Sequence, residues 1–144
     1  MDLVIGIGNR LRGDDGIGPS IVEGLPAQTG VTCRVVHQLT PELVMQLVEV
    51  DRVLFVDAAI SGEAPRIEAV CPRPHSGLGH AMTPAALMDL ARTICHKTPK
   101  AWLLTVPGID FEFGERFSPV ATAHLPEATH LLHAWLAGSV PVTT

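Results

Sequence analysis

Three stretches of the chain concentrate residues that can move protons or hold a metal ion. The first is Gly6-Ile7-Gly8-Asn9-Arg10-Leu11-Arg12-Gly13-Asp14-Asp15-Gly16-Ile17-Gly18, where two adjacent acids sit among glycines. Glycine permits tight turns and close backbone approach, as a ligand-binding loop requires. A dinucleotide fingerprint would need glycine at position 11, where Leu11 stands, and no lysine follows as in a phosphate-cradling loop. Adjacent carboxylates would also repel a pyrophosphate. Capping accounts for one of Asp14 and Asp15, since a carboxylate near a helix N-terminus complements the dipole. It leaves the other for chemistry. The second stretch is Phe55-Val56-Asp57-Ala58-Ala59. A carboxylate at the end of a buried apolar run is costly unless it is paired, hydrogen-bonded or metal-bound. The third, Cys71 to Met82, carries His75 and His80 between prolines and glycines. Asp15, Asp57 and His80 together would offer two oxygens and one nitrogen, a set suited to a divalent transition metal with open positions. Their spacing carries no specificity; the case is positional, and His75 competes for the imidazole.

Other reactive arrangements are weaker. There is no HExxH pair for a helical zinc protease and no GxSxG elbow for a nucleophilic serine. Cys33, Cys71 and Cys95 have no CxxC spacing, and Cys33 in a strand and Cys95 on an apolar helix face read as buried, reduced thiols. His96, His124, His130 and His133 fall at helix ends or on polar helix faces and read as surface residues.

The elements that must position these groups follow from the apolar pattern. Leu3 to Gly8 and Val53 to Val56 are continuously apolar, as strands buried on both faces are. Val31 to His37 and Ala101 to Val106 are further strands, and Arg66 to Val70 a shorter one. Helices are expected around Ser20 to Leu25, after Thr40-Pro41, after Thr83-Pro84 and after Ser118-Pro119, each of the last three opened by a capping hydroxyl with proline at the first position. Apolar faces are Leu43, Val44, Leu47 and Val48; then Leu87, Leu90, Ala91, Ile94 and Cys95; then Ala128, Leu131, Leu132, Trp135 and Leu136. Pro126 should kink or split the last helix, and Gly138 should end it. The alternation predicts an α/β fold: a three-layer sandwich with a twisted, mostly parallel sheet of about five strands and helices on both faces. Residues 1–140 read as one domain and 141–144 as a short tail. In such sheets ligands gather outside the carboxyl ends of the strands, which is where Asp15 and Asp57 fall.

Composition narrows the function classes. The 144 residues are 47% hydrophobic and 17% charged, enough apolar material for a core and too much for disorder. Fifteen acids against ten bases leave a net charge of −5, which argues against nucleic acid or an anionic membrane surface as partner. The opening apolar run, Leu3 to Ile7, is too short for a signal peptide and lacks a basic flank. No stretch approaches the roughly 20 apolar residues that span a bilayer. A reducing, cytoplasmic location is expected.

The glycine–asparagine–acid loop at Gly6 to Gly18 resembles that of the nickel–iron hydrogenase maturation endopeptidases. The resemblance continues through Asp57-Ala58, Gly79-His80 before Thr83-Pro84, and Asp110-Phe111-Glu112-Phe113-Gly114-Glu115-Arg116-Phe117-Ser118-Pro119, covering nearly the whole chain in order. It implies an α/β sandwich that removes a C-terminal extension from a hydrogenase large-subunit precursor after nickel has been inserted there. It further implies that Asp15, Asp57 and His80 are the catalytic, metal-contacting residues. The nickel would be carried by the substrate precursor, with no permanently bound cofactor. Some relatives have glutamate where this chain has the shorter Asp15. A nickel-sensing module that cuts nothing would use the same three residues. Trp102 and the aromatics of Phe111 to Phe117 are candidates either for docking the precursor or for core packing.

Overall fold

The computed structural model describes residues 1–75 and 81–139. Along the chain run β1 (Asp2–Ile7), a 3-10 turn (Gly13–Gly16), α1 (Ile17–Glu23), β2 (Val31–Val36), a second 3-10 turn (Pro41–Leu43) and α2 (Val44–Leu47). There follow β3 (Arg52–Ala59), β4 (Arg66–Val70), α3 (Pro84–Cys95), β5 (Lys100–Pro107) and α4 (Pro119–Leu136). The strands form one sheet in the order β2-β1-β3-β5-β4. β2, β1, β3 and β5 are parallel, and the edge strand β4 runs antiparallel to its neighbour β5.

The two-residue period of the strands divides the core into two layers. Leu3, Ile5, Ile7, Val53 and Phe55 pack beneath Leu43, Val44 and Leu47 of the α2 segment and Leu87, Met88 and Ala91 of α3. Val4, Leu54, Val56, Trp102 and Leu104 face the other way, under Ile17, Ile21 and Val22 of α1 and Ala121, Ala128, Leu132 and Trp135 of α4. The expected three-layer sandwich is therefore present. No helix among the described residues is long and apolar enough to cross a membrane.

The strand order creates the crevice that matters. From β1 the chain crosses on the α1 face to β2, then returns on the α2 face to β3, on the other side of β1. The connections diverge here, so the carboxyl ends of β1 and β3 flank a topological switch point.

Several boundaries depart from expectation. α1 begins at Ile17 rather than near Ser20, because the 3-10 turn feeds straight into it. β3 runs past Asp57 to Ala59, paired with β5 as far as Pro107, so Asp57 lies inside the strand's last residues. Pro126 does not split α4, which runs as one helix from Pro119 to Leu136. It lies exposed, where water can serve the carbonyl it leaves unbonded, while buried Ala121 and Ala128 anchor the helix on either side. Ile94 is exposed, outside the α3 core face, whereas Met88 is buried in it. Cys33 and Cys95 are half-buried rather than buried, one on an edge strand and one at a helix end, and Cys71 is exposed; all three thiols are free.

Two of the three predicted caps are present, and Thr40 precedes its 3-10 turn without a side-chain cap hydrogen bond. Thr83 Oγ1 accepts the amide of Ala86, and Ser118 Oγ that of Ala121, both at 3.1 Å. At the opposite end of the sheet, Arg52 ties α4 down. Its guanidinium donates to Asp2 Oδ1 at 3.0 Å, to Asp2 Oδ2 at 2.5 Å and to the carbonyl of Trp135 at 2.8 Å. It also lies 4.1 Å from the Trp135 ring centroid, a cation–π contact at a helix C-terminus where positive charge is favoured.

Candidate functional site

Glycines bring the loop and α1 onto the ends of β1 and β3. A Cβ on Gly18 would lie 2.4 Å from the carbonyl oxygen of Val56 and 2.8 Å from that of Ile7, so the start of α1 presses against both strand ends. Gly8 has φ +148°, and a Cβ there would fall 1.8 Å from the Asp15 carbonyl oxygen. Only glycine allows the loop to fold back this tightly. The fold-back lets the Asn9 amide donate to Asp15 Oδ2 at 2.7 Å, which orients the half-buried Asp15 carboxylate.

Asp57 reaches the same crevice from β3, one residue beyond the Gly6–Val56 pairing with β1. Its carboxyl is pushed up to about 6, first by burial and then by the charge of Asp15, against a lowering backbone hydrogen bond at Ala58. Two carboxylates in one partly desolvated crevice resist double ionisation. That arrangement suits a proton held on Asp57 or a bound cation, either of which would relieve the repulsion.

Asp14 plays a different part from the one its sequence position suggests. Among the described residues no side chain caps the first 3-10 turn or α1. Asp14 is instead fully buried, at 0% exposure, and its carboxylate accepts four hydrogen bonds from the β5–α4 connection. Oδ2 takes the amides of Ile109 at 2.9 Å and Asp110 at 3.0 Å and the hydroxyl of Ser118 at 2.6 Å, while Oδ1 takes the Ser118 amide at 2.7 Å. Burial raises its proton affinity, but these donors outweigh burial and hold the carboxyl below its usual range. A Cβ on Gly108 would sit 2.6 Å from Asp14 Cβ, so the approach requires glycine there as well. Backbone bonds complete the junction: Asp14 N to Asp110 O at 2.7 Å, Gly13 N to Gly114 O at 2.7 Å and Gly114 N to Leu11 O at 2.8 Å.

Of the three predicted site residues, Asp15 and Asp57 come together at the switch point. His80 lies outside the described residues. His75 is exposed on the connection after β4, whose near end is fastened to α3 by the Arg73 amide bonding the Ala85 carbonyl at 3.0 Å. Among the described residues no three His, Cys, Asp or Glu side chains gather as a metal site. Trp102 is core, against Trp135 with centroids 5.9 Å apart, whereas Phe113 is exposed and Phe111 and Phe117 are half-buried. The clamp at Asp14 was missed from sequence because its partners lie roughly a hundred residues away. The only local signal was Ser118, read as a helix cap, which it also is.

No protein-family model matches the chain, and no curated protein sequence does. Solved structures do. The hydrogenase maturating endopeptidase HybD from Escherichia coli is similar at a TM-score of 0.77 and 22% identity, over 96% of this chain and 93% of that one. The [NiFe] hydrogenase maturation protease HycI from Thermococcus kodakarensis is similar at 0.71 and 20% identity, over 94% and 92%. A hydrogenase 2 maturation peptidase from a Thaumarchaeota archaeon is similar at 0.65 and 21% identity, over 96% and 99%. At these identities the likeness establishes a shared fold across essentially the whole chain.

Proposed function

We propose that the protein is an endopeptidase of nickel–iron hydrogenase maturation, removing the C-terminal extension of a large-subunit precursor after nickel insertion. The observation that carries this reading is the pair Asp15 and Asp57, set at the β1/β3 switch point, where burial first and the charge of Asp15 second lift Asp57 to about 6. That pair lies in a fold that solved structures named as hydrogenase maturation proteases share over nearly their full length. The glycine-rich loop that holds Asp15 is also the segment on which the sequence resemblance rests.

In this reading the substrate brings its own nickel. Asp15, Asp57 and the imidazole of His80, with His75 as the other choice, contact that ion and so read whether insertion is complete. The ion places the scissile bond beside the crevice and supplies Lewis acidity toward a water or the peptide carbonyl. Hydrolysis then adds the water oxygen to the carbonyl carbon, breaks the C–N bond and passes a proton to the departing amine. Asp57, raised to about 6 chiefly by burial, can hold and return that proton near neutral pH, the property expected of a general acid–base carboxyl. The protein itself holds no permanent cofactor and works in the cytoplasm. A sensing module that binds the same precursor without cutting it would use the same residues. Incubating protein with nickel-loaded precursor separates the two readings: a shortened precursor supports the endopeptidase, whereas binding at constant mass supports the module.

A further inference from the structure

Four large apolar side chains stand in water around the crevice: Leu11 (47% exposed), Ile60 (84%), Ile109 (67%) and Phe113 (88%). They come from the connections that follow β1, β3 and β5. These connections are fastened to one another rather than loose. The Gly108 amide bonds the Ala59 carbonyl at 2.9 Å, which sets Ile60 and Ile109 beside one joint. The Gly114 amide bonds the Leu11 carbonyl, which sets Phe113 beside the glycine loop. Buried Asp14, with its four donors, locks the 109–118 segment against the residue next to Asp15. Apolar side chains exposed on connections whose backbones are tied together mark a surface that a partner covers, and the tied backbone lowers the ordering cost of binding. The same segment is acidic: Asp110, Glu112 and Glu115 are exposed against a single base, Arg116, with Arg12 opposite and Glu63 beyond Ile60.

We propose that Leu11, Ile60, Ile109 and Phe113 form a preformed docking lip for the polypeptide substrate. It would seat a segment that carries an apolar side chain next to a basic one beside Asp15 and Asp57. The inference rests on the endopeptidase reading for the identity of the substrate, but binding tests it independently of cleavage. Charge complementarity selects the occupant, since the acids around Phe113 disfavour an acidic chain and attract a cationic one.

The experiment measures the Kd of the nickel-loaded precursor for the wild type, for Ile109→Ser/Phe113→Ser and for Glu112→Gln/Glu115→Gln, with cleavage followed in parallel. All four side chains are exposed, so these variants keep the fold, which circular dichroism checks. The apolar pair should weaken binding about tenfold or more, with the loss in kcat/KM carried by KM. The acid pair should weaken it about threefold and flatten its salt dependence. Unchanged Kd in the apolar pair, or no binding by the wild type, overturns the lip. An acid pair without effect overturns the basic segment. An apolar pair that alters self-association while binding precursor normally assigns the surface to a second copy and overturns the proposal. Binding through the lip with no cleavage removes the endopeptidase reading and leaves the lip standing.

Discussion

Replacing Asp57 by Asn should make the metal-free protein more stable at neutral pH while removing its activity. The Asp57 carboxyl is raised from 3.8 to about 6 in the folded chain, by burial first and Asp15 second. A carboxyl that holds its proton more tightly when folded favours the folded state at low pH. That contribution is lost as the pH rises from about 4 to about 6, and ionised Asp57 is then a standing cost. At about 1.36 kcal/mol per unit, the shift corresponds to at most about 3 kcal/mol, and solvent relaxation in a half-buried crevice brings the expectation to about 1–3 kcal/mol. Asn keeps the shape and carries no charge. Urea unfolding of both proteins between about pH 4 and pH 8, with a chelator present, should give curves that coincide near pH 4 and separate toward pH 7. At neutral pH the melting temperature of the variant should be higher by about 3–4 °C per kcal/mol. A variant equal to or less stable than the wild type at pH 7, or an offset independent of pH, would refute the electrostatic reasoning. A stabilising loss of function is the expected mark of a site whose groups serve chemistry rather than folding.

Three further outcomes follow from the same geometry. Ser118→Ala removes both a donor to Asp14 and the cap of α4, and should cost about 2 kcal/mol in denaturant unfolding; Asp14→Ala, which strands three amides and a hydroxyl, should cost about 3 kcal/mol or more. Gly18→Ala, whose Cβ would lie 2.4 Å from the Val56 carbonyl oxygen, should lower the melting point and depress cleavage together, since α1 must lift off both strand ends. Arg52→Met at the far end of the sheet should destabilise by about 2 kcal/mol in thermal unfolding, with cleavage by the folded protein retained.

Much of the architecture was legible because apolar periodicity speaks directly about burial. Leu3 to Ile7 and Val53 to Val56 alternate between two buried faces and so read as unbroken apolar runs. Thr83-Pro84 and Ser118-Pro119 announced their helices by the capping chemistry that the structure contains. Asp57 could be picked out because an acid at the end of an apolar run needs a reason to be there, and Asp15 because a cap accounts for only one of two adjacent acids in a glycine-rich loop. What sequence could not convey was long-range. The helix-capping reading of the Asp14-Asp15 pair gave way because the donors of Ile109, Asp110 and Ser118 are brought up by the fold, not by neighbouring residues. The sequence puts the exit from β3 early because Ala58 and Ala59 carry no strong strand preference, and pairing with Val106 and Pro107 of β5 extends the strand. The propensity of Pro126 argues for a break, and packing at Ala121 and Ala128 on either side overrides it. For the three aromatics of 111–117 the choice between core and surface depended on how one connection is clamped, and no local pattern encodes that.

The central claim is that Asp15 and Asp57 together cleave a precursor whose own nickel they recognise. The most direct test follows the intact mass of the hydrogenase large-subunit precursor, with and without nickel loaded, on incubation with the wild type, Asp15→Asn and Asp57→Asn. The account predicts loss of a C-terminal peptide only from the nickel-loaded precursor, only with the wild type, and with both variants folded. Wild-type cleavage rates in either variant would contradict the assignment of the carboxylates, and cleavage of the nickel-free precursor would contradict recognition through the metal.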